Sequence, residues 1–117
     1  MAKQTKRKYR RAKGSKGAIR GYGEEAKRSS QAKILCGGCP GRSKGWFVQP
    51  TVIVCDDPRF TTMEEEIFGP VLSVFVYEDA RLDDALDLCD GTSPYALTGA
   101  VFAEDRRAVA TIMDRLR

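Results

Sequence analysis

Short apolar runs alternate with stretches of helical spacing in the second half of the chain, and this alternation constrains the fold more than any other feature. Residues 46–55, 70–77 and 96–103 are rich in β-branched and aromatic side chains, as strands are. Residues 79–91 and 104–117 carry apolar side chains at helical spacing. Strands and helices in this order predict an α/β fold with a mostly parallel sheet and flanking helices.

The same runs predict which residues are buried. Residues 70–77 are almost continuously apolar, so this strand is expected to be covered on both faces. Pro50 lies inside the first run and predicts an edge strand or a bulge there. Each helix should bury one face, formed by Leu82, Ala85, Leu86 and Cys89 before a capping Gly91, and by Val109, Ile112, Met113 and Leu116.

The front of the chain differs in composition from the rest. Residues 1–44 hold 14 of the 20 Lys and Arg and only 2 of the 16 acids. Residues 1–17 are too polar to bury a core and are predicted to be a disordered basic tail, so the domain is expected at 18–117. Residues 18–33 predict a helix with an apolar stripe at Ile19, Tyr22 and Ala26, followed by a short strand and a Gly-rich turn.

The chain contains no run of 18 apolar residues and no apolar stretch near Met1. These features predict neither a membrane span nor a secretory signal. The four cysteines are therefore expected to be reduced thiols in an intracellular protein.

Three consecutive acids precede a Phe and a Gly-Pro pair in "TTMEEEIFGP", residues 61–70. Thr61 or Thr62 could form a capping box with the acid three residues later, which would occupy two acids in a short helix. Glu66 is left without such a role. With Phe68 it lies where a strand begins after the bend fixed by Pro70. A carboxylate suits the hydroxyls of a ribose and a ring suits a flat heterocycle, so the two residues are a candidate ligand site.

Three phrases then place the sequence in a known family. "GWFVQPTVIV", "EEIFGPVLSV" and "YALTGAVF", in this order and spacing, resemble the later part of the catalytic domain of NAD(P)-dependent aldehyde dehydrogenases. The resemblance runs from about Ala18 to the last residue. "GPVLSVFVYED" and "SPYALTGAVF" are most similar to the 1-pyrroline-5-carboxylate dehydrogenase branch, mitochondrial matrix enzymes that oxidise glutamate semialdehyde.

The resemblance implies a cofactor site. In the family, the second Glu of Glu-Glu-Ile-Phe-Gly-Pro hydrogen-bonds the nicotinamide ribose and the Phe packs beside the nicotinamide; these positions are Glu66 and Phe68 here. It implies NAD, or alternatively NADP, a small aldehyde substrate and a homo-oligomeric parent enzyme. It also places the catalytic Cys and general-base Glu before the matched region. The chain is thus expected to be a fragment without turnover, located in mitochondria or alternatively in the cytoplasm.

Three other interpretations stay open. The basic tail could be an arm that binds nucleic acid, although its one aromatic residue, Tyr9, offers no stacking platform. Cys36-Gly-Gly-Cys39 has the spacing of a zinc or redox pair but lacks further paired ligands, and the chain contains no His. Finally, a partial sheet leaves unpaired edges, which predicts a chain that is only marginally able to fold alone.

Overall fold

The computed structural model describes residues 14–38, 47–95 and 98–116. In chain order the elements are α1 (Gly14–Arg28), β1 (Ala32–Cys36), β2 (Thr51–Cys55), α2 (Thr61–Glu64), β3 (Val71–Phe75), a 3-10 turn (Asp79–Arg81), α3 (Leu82–Gly91) and α4 (Arg106–Arg115).

The three strands form one sheet in the order β1-β2-β3. β1 pairs with β2 antiparallel, and β2 pairs with β3 parallel. The register places Ile34 of β1 and Ser73 of β3 on either side of Ile53 of β2. The predicted α/β fold is therefore confirmed, but in the described part of the chain the sheet is mixed, with one parallel and one antiparallel pair.

The core lies on one face of β2. Side chains alternate across a strand, so Thr51, Ile53 and Cys55 share the buried face while Val52 and Val54 are half-buried on the other. Ala26 of α1 and Phe60, which immediately precedes α2, complete the buried cluster around Ile53 and Cys55. The predicted apolar stripe of the first helix thus packs onto the sheet through Ala26.

The prediction that Pro50 marks an edge strand or a bulge is wrong. β2 is the central strand and begins at Thr51, so Pro50 lies outside the ladder and its missing N–H is not needed there. The register irregularity lies instead on β1, between Ile34 and Cys36. β1 then ends in a turn in which Gly37 and Gly38 both have positive φ.

The first helix is displaced from its predicted limits. α1 begins at Gly14, inside the predicted tail, and ends at Arg28 instead of Lys33. It ends early because Ala32–Cys36 pair with β2, and a turn at residues 29–31 is stabilised by the Gln31 N–H donating to Ser29 Oγ at 3.1 Å. Residues 1–13 of the predicted tail, which make up most of the alternative nucleic-acid arm, lie outside the described residues, whereas residues 14–17 belong to α1.

Helices α3 and α4 confirm the helical predictions near the C-terminus, although Gly91 is the last residue of α3 instead of its cap. α4 begins after Asp105, whose carboxylate accepts a hydrogen bond from the Arg107 N–H at 2.8 Å. Leu86 is buried, but Cys89, Met113 and Leu116 are exposed. The predicted buried faces are therefore only partly covered.

Two strand predictions are wrong. Residues 98–103 form no strand and the Phe102 side chain is 94% exposed; residues 96 and 97 lie outside the described part. β3 is not covered on both faces, because Leu72 is 60% exposed. β3 is an outer strand, and no described segment pairs with its free edge. Within the described ranges, every helix is too short or too polar to traverse a lipid bilayer.

Candidate functional site

The candidate residues lie in the loop 65–70, between α2 and β3. The loop is fixed at both ends, since the Glu65 N–H donates to the Thr61 carbonyl at 2.9 Å and the Pro70 carbonyl accepts from the Thr51 N–H at 2.9 Å. It lies at the amino ends of the parallel strands β2 and β3. Parallel sheets generally bind ligands at their carboxyl ends, so that rule does not account for a site here.

Phe68 has the backbone conformation that distinguishes this loop. Its φ is 56°, and it is the one non-Gly residue with positive φ among the described residues. For a bulky side chain this left-handed region costs about 1–2 kcal/mol and persists only where the surroundings enforce it. The strain does not serve burial, because the Phe68 side chain is 83% exposed. Phe68 is thus an apolar ring held outward by a constrained backbone, available to a flat partner.

A cavity of about 260 Å³ lies beside the ring. Its lining residues are Thr62, Met63, Glu65, Ile67, Phe68, Gly69, Val71 and Ser73. Polar groups are present, since Ser73 Oγ donates to the Thr62 carbonyl at 2.9 Å. The structure therefore brings Phe68 to a groove with the sheet behind it. Glu66 is exposed in the same loop but is not part of the lining.

The predicted helix caps are wrong. α2 has Phe60 at its N-cap, with no side-chain hydrogen bond there, because both threonines are engaged elsewhere. Thr61 Oγ1 donates to Glu25 Oε1 at 2.7 Å, and Thr62 Oγ1 lies 3.7 Å from the Cys55 sulfur.

The three acids of this stretch are nonetheless used differently from one another. Glu64 lies 3.9 Å from the Arg59 guanidinium, and Glu65 accepts a hydrogen bond from the Tyr22 hydroxyl at 2.7 Å. Glu66 makes no hydrogen bond or ion pair with any described residue. Glu66 is therefore the acid of the three that remains available, as the sequence suggested, although capping is not the reason.

Sequence reasoning missed the role of Tyr22. The stripe at Ile19, Tyr22 and Ala26 indicated that this helix face is buried, but not what it packs against. The Tyr22–Glu65 hydrogen bond joins residues 43 positions apart. Local periodicity carries no information on such a pairing.

Cys55 is a core residue. It is 2% exposed. Burial, which is the largest effect, raises the pKa of its thiol, with smaller contributions from the negative charges of Asp56 and Asp57; the contact with Thr62 partly opposes the rise. A neutral, inaccessible thiol is a poor nucleophile, so Cys55 is not suited to replace a catalytic cysteine.

Cys36 and Cys89 are exposed, and Cys39 lies outside the described residues. The described part of the chain holds no group of three His, Cys, Asp or Glu able to bind a metal ion. The predicted Cys36–Cys39 pair is therefore not tested.

We expect Cys55 to make stability depend on alkaline pH. Below about pH 8.5, the ordinary pKa of a Cys thiol, the Cys55 thiol keeps its proton in both the folded and the unfolded chain. It then adds no pH dependence to the free energy of unfolding. Above this pH, the unfolded chain releases the proton first, so the free energy of unfolding falls as pH rises toward the higher pKa of the folded state. Chemical denaturation between pH 7 and 10 measures the slope. Cys55→Ala should flatten it, whereas the exposed Cys89→Ala should not; equal slopes in all three proteins would contradict the assignment.

Comparisons with known proteins give the same protein family along nearly the whole chain. The sequence model described as "Aldehyde dehydrogenase family" matches residues 12–117, beginning inside the predicted tail. The mitochondrial delta-1-pyrroline-5-carboxylate dehydrogenase of Dictyostelium discoideum is 53% identical over 93 residues, covering 80% of this chain and 17% of that protein. The human mitochondrial protein of the same name is 44% identical over 99 residues, covering 85% and 18%.

Solved structures give the same result. Delta-pyrroline-5-carboxylate dehydrogenase from Mycobacterium tuberculosis bound with NAD superposes with a TM-score of 0.75 and 45% identity, over 87% of this chain and 18% of that one. An aldehyde dehydrogenase of the same organism complexed with NAD+ has a TM-score of 0.75 at 31% identity. The chain thus spans less than a fifth of the length of the curated relatives named above.

Proposed function

We propose, because this chain belongs to the aldehyde dehydrogenase family, that its loop 65–70 forms one side of a site for NAD. Glu66 accepts hydrogen bonds from the hydroxyls of the nicotinamide ribose, and Phe68 packs beside the nicotinamide ring. The observation that carries the proposal is the exposed Phe68 ring on a left-handed backbone, which the protein interior does not require.

The residues present fit this cofactor. Bound NAD would supply the acceptor for the hydride removed from an aldehyde. Glu66 has an exposed carboxylate without a described partner, as a receptor for two vicinal hydroxyls needs. Phe68 offers its ring above a groove whose apolar lining includes Met63, Ile67 and Val71. The chain's own contribution is therefore to hold and orient the nucleotide. We propose NAD instead of NADP as the cofactor, because the structural neighbours include complexes with NAD.

The proposed activity of the whole enzyme is the NAD-dependent oxidation of an aldehyde, glutamate semialdehyde, to a carboxylate. The names of the relatives support this substrate and a mitochondrial location. The nucleophilic thiolate that attacks the aldehyde is assigned to residues outside this sequence. No observation on the described residues favours the nucleic-acid interpretation over this one.

We expect Glu66→Gln to weaken NAD binding by about ten-fold or more, because a hydrogen bond to a charged acceptor is worth about 1.5–3 kcal/mol. Phe68→Ala should weaken it by a similar factor through lost ring contact. Titration of the isotope-labelled chain with NAD, followed by amide chemical shifts, measures the affinity and places the perturbation. Glu78→Gln is the matched control, since Glu78 is an exposed acid outside the loop. Shifts confined to other regions, or equal affinities for all variants, would refute the proposed site.

The chain alone is expected to show no turnover. Purified protein incubated with NAD and glutamate semialdehyde should produce no NADH beyond the rate without protein, because Cys55 is buried and no other described cysteine lies in the groove. Absorbance at the NADH band measures this. Sustained NADH production would mean that the chain contains a catalytic nucleophile other than the buried Cys55.

A further inference from the structure

One face of α1 runs along the loop 65–70 and touches it on both sides of Glu66 and Phe68. Ile19 and Tyr22 contact the loop, and Glu25, three residues further along the same helix face, contacts Thr61 at the start of α2. Their partners lie more than 35 positions away in sequence. None of these contacts belongs to the main core around Ile53.

The contact after Phe68 is steric. A Cβ atom on Gly69 would lie 2.3 Å from Ile19 Cδ1 and 2.9 Å from Ile19 Cγ1. Ile19 is buried, although the helix surface next to it is exposed. Glycine at 69 lets the loop approach α1 this closely without displacing the Ile19 side chain, so Ile19 and Gly69 form the contact immediately after Phe68.

The contact before Glu66 is polar. The Tyr22 hydroxyl donates to Glu65 Oε2 at 2.7 Å, and one turn further along the helix Glu25 Oε1 accepts from Thr61 Oγ1 at 2.7 Å. The two bonds hold α2 against α1 at its first residue, Thr61, and at the residue that caps its end, Glu65. The segment from Glu66 to Phe68 therefore lies between two contacts with the same face of α1, one at Glu65 and one at Gly69.

We propose that α1 is the brace of the cofactor loop, with Tyr22 and Ile19 as positioning residues that act on Glu66 and Phe68 through Glu65 and Gly69. The inference rests on the proposed NAD site and adds to it the residues that preset its geometry. A backbone in the left-handed region relaxes when its surroundings allow, so loosening either contact lets Phe68 leave the conformation that presents its ring.

Cleavage by a glutamate-specific protease at the Glu66–Ile67 bond reports this loop directly, without nucleotide. Tyr22→Phe should accelerate that cleavage about ten-fold or more, the effect of losing one hydrogen bond to a charged acceptor on a local opening equilibrium. Cleavage at Glu78–Asp79 is the internal reference, because global destabilisation accelerates both bonds alike. Arg20→Ala, an exposed position on α1, should leave the ratio of the two rates unchanged.

The contact between Ile19 and Gly69 is tested by enlarging one side chain and shortening the other. Gly69→Ala should accelerate cleavage at Glu66–Ile67, because its methyl group collides with Ile19. Ile19→Ala removes the colliding atoms, so the double variant Ile19→Ala/Gly69→Ala should be cleaved more slowly than Gly69→Ala alone. Additive acceleration in the double variant would overturn the proposed contact.

NAD affinity separates positioning from simple packing. Tyr22→Phe should weaken NAD binding by about the same factor by which it accelerates loop cleavage. Unchanged cleavage, equal acceleration at both bonds, or faster cleavage with unchanged NAD affinity would each overturn the brace. Glu66→Gln decides the proposed function independently, since loop cleavage in Tyr22→Phe is measured without nucleotide.

Discussion

Gly37→Ala is expected to lower the free energy of unfolding by at least about 2–3 kcal/mol. Gly37 has φ +76°, and a Cβ there would lie 2.1 Å from the Pro50 carbonyl oxygen and 2.8 Å from Thr51 Cα. These are backbone atoms that cannot rotate away, so the start of the central strand must shift. The strain also reaches the site, because the Thr51 N–H donates to the carbonyl of Pro70 at the end of the cofactor loop. Urea denaturation followed by circular dichroism measures the loss.

Gly23→Ala is the matched control for this prediction. Gly23 lies inside α1 with nothing within 4 Å of the Cβ position, so alanine there should stabilise the chain by about 0.5–1 kcal/mol. The two substitutions are chemically identical and opposite in expected sign. A Gly37→Ala protein as stable as wild type would show that the turn after β1 does not have the described geometry.

Ile53→Ala is expected to cost about 2–5 kcal/mol of the free energy of unfolding. Ile53 is 0% exposed, sits in the central strand, and packs against the cluster formed by Ala26, Cys55 and Phe60. The packed residues come from α1, β2 and the entry to α2, which cannot all move to fill the resulting space. For a chain of this size, such a loss should leave a large unfolded population at room temperature.

Ile53→Val, which removes one methylene, should cost only about 0.5–1.5 kcal/mol. Leu72→Ala on the outer strand should cost less than Ile53→Ala, because the Leu72 side chain is 60% exposed. Thermal unfolding monitored by circular dichroism ranks the three variants. If Leu72→Ala proved the most harmful, the core would lie on the opposite face of the sheet from the one described.

The sequence predicted local structure well where the cause is local. The helical spacing of residues 82–91 and the acid that precedes α4 were sufficient to predict both helices. The apolar run at Thr51–Cys55 predicted a strand, because β-branched side chains suit a pleated, half-buried surface, but its central place in the sheet was not predicted.

Failures arose where the structure depends on partners distant in sequence. The run at residues 96–103 has strand composition, but its described residues, 98–103, pair with no described strand, although β3 has an unpaired edge. The threonines before α2 have capping chemistry, yet Glu25 and Cys55 take up their hydroxyl groups. The strain at Phe68 could not be predicted, because nothing in the residue type favours positive φ.

The free edge of β3 determines how the protein associates with itself at high concentration. Among the described residues, the outer edge of Val71–Phe75 presents unpaired amides and carbonyls, and Leu72 on this strand is exposed. Such a border is a template on which another backbone can assemble. We therefore expect the chain to be monomeric at low concentration and to self-associate through this edge at high concentration. The concentration at which light scattering first rises measures this limit.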